Sequence, residues 1–322
     1  MHALRFGIQA LGRCLLAMGA MYFCNIINQN CPSGIHLHMI NKITSYLRNS
    51  GEFPKRIKHR HDTFWKDPNA EVVRNTKMFE HDRLENWKDA PYWQRKLSNK
   101  SNAREFALMH GCRLPDLYWR GRDIDSVDMH ALPPNYVIRP TVGHCSSLVF
   151  LMKEGFNLFD REVYTPEQIK NILKKELTEN PKLEFLFEEF LEHEEGEHNI
   201  LDDYKFFCFN GEIACIWVIN RLGPRKGFSS FYDENWQRLE EINYIYTPTG
   251  DQPAPACLND MIKSAKKLSK AYGIFVRIDF YATYKGCVFG EFTPTPSMGR
   301  DYSKFGQKLL LSYWDTYCKG LI

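Results

Sequence analysis

The sequence predicts an α+β protein in which hairpins and helices alternate without a run of parallel βαβ units. Three observations carry this. Asn210-Gly211 separates the apolar runs 205–209 and 212–219, the dipeptide that most strongly marks a short hairpin turn. A second hairpin is centred on Tyr284-Lys285-Gly286, with Val276 to Tyr281 before it and Phe289 to Pro296 after it. Around these lie stretches with helical apolar spacing, bounded by caps and stops.

The elements follow in order. Residues 1–60 carry little readable pattern. The apolar run Cys14 to Ile27, after Arg5 and Arg13, looks like a signal sequence but is too short to span a bilayer as a helix. No integral membrane segment is expected, and the stretch to about residue 60 is expected to be dispensable. Residues 65–96 read as short helices. Asn102 to His110 is a helix stopped by Gly111; Leu114 to Trp119 and Tyr136 to Arg139 are strands. A loop of small residues, Thr141 to Ser147, leads to a returning strand at Leu148 to Met152. Thr165-Pro166-Glu167-Gln168 has the N-cap, the N1 proline and the capping-box glutamine of a helix start. Leu183 to Leu191 is strand-like, Asn259 caps a helix closed by Gly273, and Ser303 to Tyr317 is a final helix. The expected organisation is an N-terminal segment (1–60), a preceding region (61–134) and two α+β subdomains (135–200 and 201–322).

The 322 residues are 43% hydrophobic with a formal net charge of +3, which excludes a strong field for nucleic acid or an anionic membrane. The basic run Lys55 to His61 reads as a solvated segment. Ten cysteines without a CxxC pair or zinc spacing fit reduced, mostly buried thiols and a cytoplasmic setting, with membrane association left open.

The chemistry concentrates in the last hairpin. If Tyr284-Lys285-Gly286 is a three-residue loop with Gly286 left-handed, Asp279 and Glu291 fall opposite one another. Arg277 then faces Thr293 on the same side, while Ile278, Phe280 and Phe292 point into a core. Opposed carboxylates share a proton or a cation, and with an arginine beside them the hard oxygens suit magnesium holding a polyphosphate. The alternative is a surface hairpin with solvated charges. Three further segments fit such a ligand. Arg139, on a strand before the small-residue loop containing Ser146, offers a cation beside backbone N–H groups, although these residues alone favour an ordinary strand-turn. Glu188-Glu189-Phe190-Leu191 reads as a strand edge running into a linker, with backbone groups for an adenine edge, or simply as an acidic half-buried strand. Lys205 occupies the polar face of its strand. Lys100 and Arg104, near a helix start, would alone pass as surface cations.

In this order the segments resemble the ATP-grasp superfamily. Arg277-x-Asp279, then Glu291-x-Thr293 and Thr295-Pro296-Ser297-Met298, resemble the metal-binding end of D-alanine–D-alanine ligases. The TupA-like branch, named for teichuronopeptide biosynthesis, is closer. Its helix motif, VIK-type strand, DYKFFCFNG hairpin and FGExTFTP ending are similar to Asn99 to Phe106, Val137 to Arg139, Asp203 to Gly211 and Phe289 to Pro294. Arg139 stands where relatives carry lysine, Gly143 is alone in a loop that is glycine-rich in relatives, and Thr293 replaces a frequent asparagine.

The resemblance, over residues 75–300, implies two subdomains gripping ATP with magnesium. Lys100, Arg139, Ser146 and Lys205 would meet the phosphates, and Glu188 to Leu191 would form the adenine hinge. Asp279, Glu291 and Thr293 would hold the metal, and Arg277 would stabilise an acyl-phosphate. Arg300, in the following turn, offers a fork for an acidic acceptor, or pairs with Asp301 or solvent. The implied activity is an ADP-forming carboxylate–amine ligase, with small-molecule or polysaccharide-precursor acids and amines as partners. A kinase for a sugar or lipid hydroxyl and a non-catalytic nucleotide-binding protein are the other readings.

Overall fold

Six strands paired in one sheet and six in another carry the architecture of residues 49–322, which form one compact unit. The computed structural model describes residues 49–143, 147–196, 200–224 and 226–321, so the apolar run at 14–27 and Ser146 lie outside the described residues. The described residues open with α1 (Glu52–Trp65), α2 (Ala70–Asn75) and α3 (Leu84–Trp87), then a 3-10 turn at Trp93–Ser98 and α4 (Lys100–Met109). The first sheet follows as β1 (Leu117–Gly121), β2 (Asn135–Pro140), β3 (Phe150–Lys153), β4 (Phe156–Asn157) and β5 (Glu162–Val163). Helix α5 (Pro166–Glu179) leads to β6 (Phe185–Glu189), which inserts between β1 and β2. The second sheet contains β7 (Asp203–Phe209), β8 (Glu212–Gly223), β9 (Lys226–Tyr232) and β10 (Thr247–Pro248). It continues, after α6 (Leu258–Tyr272), with β11 (Phe275–Thr283) and β12 (Gly286–Thr293), and α7 (Lys304–Tyr317) closes the chain. The strand order is 1-6-2-3-4-5 in the first sheet and 10-9-8-7-11-12 in the second.

Local chemistry explains the boundaries. Asn210 and Gly211 both have positive φ, 51° and 102°, so β7 and β8 are joined by the primed turn that matches strand twist. Thr165 accepts the Gln168 N–H while the Gln168 side chain returns to the Thr165 N–H, closing the capping box of α5. Helix α6 starts earlier than its sequence suggests: Cys257 holds the cap position, Asn259 lies inside the first turn, and Gly273 at φ 84° ends it.

Period-two alternation divides each strand between two faces. In the first sheet, Ile138, Phe150, Met152, Phe185 and Phe187 pack on Ile169 and Leu173 of α5. In the second, Phe206, Cys208, Ile278, Phe280 and Phe292 pack with α4 and α6. The opposite face is apolar at one end, where Phe207, Phe209 and Phe275 meet Phe53 and Ile57 of α1 and Trp314 of α7. Further along the strands that face becomes polar.

The basic run of α1 departs from expectation. Ile57 and Arg60 are fully buried. Arg60 donates to the Phe275 carbonyl at 2.6 Å and the Pro294 carbonyl at 3.4 Å, with its guanidinium 4.5 Å from the Trp314 ring. Burial pushes its pKa down to about 10. Gly299, at φ 70°, lies so close to α1 that an added Cβ would sit 2.7 Å from the Pro54 Cα. One face of residues 52–60, with Phe53, Pro54, Ile57 and Arg60, therefore belongs to the core, while Lys55, Lys58 and His59 are exposed; helical periodicity buries one side of a run whose composition is basic. Among the described residues no helix is long and apolar enough to cross a membrane.

Candidate nucleotide and metal site

The polar end of the second sheet lines up side chains in register. Lys205 on β7 pairs with Asp279 on β11, which pairs with Glu291 on β12, so one cation and two adjacent carboxylates form one row. One step along, Arg277 pairs with Thr293. The pairing is the expected one, but the route differs. The loop is two residues long, because Thr283 pairs with Gly286, which alone would slip the hairpin by one position. A bulge beside Asp279 inserts Gly290 and restores the opposition of the carboxylates. An added Cβ at Gly290 would lie 3.0 Å from the Asp279 carbonyl oxygen and 3.1 Å from Cε2 of Tyr281, so the bulge requires a residue without one.

Asp279 is 2% exposed and meets two cations. Arg277, two residues earlier on the same face, forks onto it with Nε to Oδ1 at 2.7 Å and Nη2 to Oδ2 at 2.8 Å. The Lys205 ammonium donates to Oδ2 and also lies 3.4 Å from Asp203 Oδ1. Asp203 is held in turn by Arg221, whose Nε is 2.7 Å away. Arg277 also reaches the Thr293 hydroxyl at 2.9 Å and Glu291 Oε1 at 3.4 Å. Burial lowers the Arg277 pKa, but Asp279 more than restores it.

Glu291 differs from Asp279 in being open, with 37% of its side chain exposed. Burial would raise its carboxyl pKa, yet Lys100, Arg277, Lys205 and Arg139 together hold it below the usual value. Cations from four separate segments thus act on one carboxylate. Lys100 begins α4, where Asn99 caps the helix and the Lys100 N–H donates to the Thr141 carbonyl at 2.7 Å. Burial lowers its ammonium pKa against the pull of Glu291; Arg139 pushes it further down and Glu188 opposes this.

The first sheet contributes a buried triad. Glu188, 2% exposed, accepts from Arg104 and from Arg139, whose Nε and Nη2 lie 2.5 Å and 3.3 Å from its oxygens. Burial depresses the Arg139 pKa, and Glu188 overrides it. The expected hinge is therefore not an edge: β6 is an inner strand, and its backbone pairs with β1 and β2 as far as Glu188 and Glu189. Only Phe190 and Leu191, both buried, lie beyond the paired strand. Arg300 is exposed, with Nε 3.5 Å from the Ser297 carbonyl.

Sequence reasoning left Arg104 as a surface cation and gave no role to Asp203, Arg221 or Tyr281. Lys100 and Arg104 are four residues apart and so share a helix face, a spacing that signals a common direction but not its burial. Tyr281 shares the face of Asp279; burial raises its phenol pKa, and Asp203 adds to this.

The cluster holds six cations (Lys100, Arg104, Arg139, Lys205, Arg221, Arg277) and four carboxylates (Glu188, Asp203, Asp279, Glu291). The excess is positive, as a polyphosphate carrying one divalent cation requires. Among the described residues no three His, Cys, Asp or Glu groups close into a metal cage. Magnesium does not need one, since it is commonly held by one or two carboxylates together with substrate phosphates. Opposed Asp279 and Glu291, with the Thr293 hydroxyl beside them, are the oxygen donors that fit it.

A family model described as TupA-like ATPgrasp matches residues 82–309. No curated protein matches the chain. Among solved structures, D-alanine–D-alanine ligase from Bacillus anthracis is 16% identical, with 69% of this chain and 64% of that chain covered and a TM-score of 0.43. For its complex with ATP the chain spans 54% of the ligase's length. The ATP-grasp ligase PsnB, complexed with precursor peptide PsnA2 and AMPPNP, is 14% identical, covering 79% and 70%, with a TM-score of 0.40. The D-cycloserine synthetase DcsG is 13% identical, covering 67% and 68%, with a TM-score of 0.43.

Proposed function

The chain belongs to the TupA-like ATP-grasp family, and on that premise we propose that it is an ADP-forming carboxylate–amine ligase. The observation that carries the reading is the convergence on Glu291 of Lys100, Arg139, Lys205 and Arg277, beside a second carboxylate in register. Such a site binds a metal-bridged polyphosphate and stabilises charge moving from one oxygen to another, which is most of what phosphoryl transfer asks of a protein.

Lys100, Arg139 and Lys205 hold the phosphates by charge. Asp279 and Glu291, with Thr293, would hold magnesium, which would supply positive charge against the phosphate oxygens. A substrate carboxylate oxygen attacks the terminal phosphorus, the bond to the bridging oxygen breaks, and ADP leaves. Arg277, whose fork is fixed by Asp279, is the cation we assign to the charge developing on the acyl-phosphate oxygens. An amine then attacks the acyl carbon, inorganic phosphate leaves, and the amine nitrogen loses a proton. Phe190 and Leu191 flank the adenine, and Arg300 faces the acceptor. The role we assign is in cell-envelope polysaccharide modification, with a precursor carboxylate as the acid.

The test is a product assay with candidate acids and amines. Free phosphate appearing only when acid and amine are both present supports the ligase. A stable phosphorylated hydroxyl compound would replace it with the kinase reading, and ATP binding without turnover would leave a binding protein.

A further inference from the structure

The hairpin carrying Asp279 and Glu291 has its tip at Tyr284-Lys285, and that tip rests on the other sheet. The Lys285 ammonium lies 2.5 Å from Glu189 Oε1 and 3.5 Å from Asp116 Oδ2. Glu189 is the last residue of the central strand β6, directly before the segment that crosses to the second sheet at Asp203. Its other carboxylate oxygen accepts the Asp116 N–H at 3.0 Å, and its own N–H donates to the Asp116 carbonyl at 2.8 Å. The 113–116 segment is fastened to the hairpin as well. Phe289 donates to the Arg113 carbonyl at 3.0 Å, and the Arg113 guanidinium donates to the Lys285 carbonyl. Gly286, at φ 86°, leaves room for this, since a Cβ there would lie 2.8 Å from Arg113 Nη1. The Glu189 side chain is only 11% exposed and that of Lys285 is 32% exposed, so the carboxylate end of the pair is shielded while the ammonium is partly open.

We infer that Lys285 is a positioning residue. Its ion pair with Glu189 latches the metal-bearing hairpin to the end of β6 and so sets the spacing between the nucleotide hinge and the carboxylates at the base of the same hairpin. A ligand spanning the site, with its base at the hinge and its phosphates at Asp279 and Glu291, reads that spacing directly. Binding geometry held to fractions of an ångström is what such a latch contributes, and its loss falls on nucleotide affinity more than on the chemistry. This rests on the nucleotide-site reading above.

The experiment measures MgATP binding by calorimetry and thermal unfolding for the wild-type chain, Lys285→Met, Lys285→Arg and Glu189→Gln, and the double variant Lys285→Met/Glu189→Gln. The latch requires a fall in affinity of roughly tenfold for Lys285→Met, substantial recovery in Lys285→Arg, and a double variant no worse than the weaker single one. A fall in unfolding temperature with unchanged affinity would make the pair merely structural and overturn the inference. So would independent, additive losses from the two single variants. A wild-type chain that binds no MgATP would instead sink the nucleotide-site reading itself, and the latch with it.

Discussion

Gly290→Ala tests the bulge that brings the two carboxylates together. The new methyl would stand 3.0 Å from the Asp279 carbonyl oxygen, 3.1 Å from Cε2 of Tyr281 and 3.4 Å from the Asp279 carbonyl carbon. Two of the three are backbone atoms of the residue that the bulge positions, so the strain cannot be relieved by turning a flexible side chain. Overpacking of this kind costs about 1–3 kcal/mol. In a folded unit of this size that corresponds to a fall in unfolding temperature of roughly 2–10 °C. Relief by moving β12 a few tenths of an ångström would pull Glu291 from its place opposite Asp279, and MgATP affinity should weaken by roughly 3–10-fold, given that a full ångström costs on the order of a hundredfold. Calorimetry with and without MgATP reads both effects. Gly223→Ala is the control, because nothing lies within 4 Å of its Cβ position. If Gly290→Ala matches Gly223→Ala in both measurements, the bulge does not set the register of the site.

Other expectations follow from the same geometry. Glu291→Gln should weaken MgATP binding by tenfold or more with the fold intact. Because the Glu291 pKa is lowered from 4.5 in the folded state, its contribution to stability is present above about pH 4.5 and is lost as pH falls through the lower folded value. Thermal unfolding between pH 3 and 6 should therefore be flatter in Glu291→Gln. A chain starting at Asn49 should fold and bind MgATP, whereas one starting at Trp65 removes the fully buried Phe53, Ile57, Arg60 and Phe64 and should not give a cooperative transition by circular dichroism. Each large core side chain is worth about 2–5 kcal/mol against a total of 5–15. Arg300→Ala, at an exposed position, should raise the acceptor KM while leaving ATP affinity within twofold in steady-state assays.

Much of this was legible in the sequence because hairpin chemistry and strand parity are local. Asn210-Gly211 fixes its turn, and parity alone puts Arg277 and Asp279 on one face with Ile278 and Phe280 on the other. The bulge was not legible: counting through an assumed three-residue loop reached the right pairing of Asp279 with Glu291, while the chain reaches it with a shorter loop and one inserted glycine. Nor was the fate of Glu188, whose arginine partners lie 84 and 49 residues away in sequence. Which inner strand separates which neighbours is decided by topology, so β6 read as an edge. Helix α1 misled through composition, since KRIKHRH is basic as a word but presents Ile57 and Arg60 to the core as a helix.

If metal and polyphosphate bind as proposed, the double hold on Asp279 would govern the order in which they load. Both of its oxygens are already occupied, by Arg277 and Lys205. A divalent ion arriving alone would displace them and leave Lys205 and Arg277 with only their second partners, Asp203 and Glu291. A polyphosphate arriving alone would draw those cations away and leave a buried carboxylate bare. Each half-loaded state would thus leave buried charge less well matched than before, which is costly in a protein interior. Metal and polyphosphate delivered together exchange partners with every charge still matched. A site loaded in this way would be synergistic, and by reciprocity each ligand would tighten the other by the same factor.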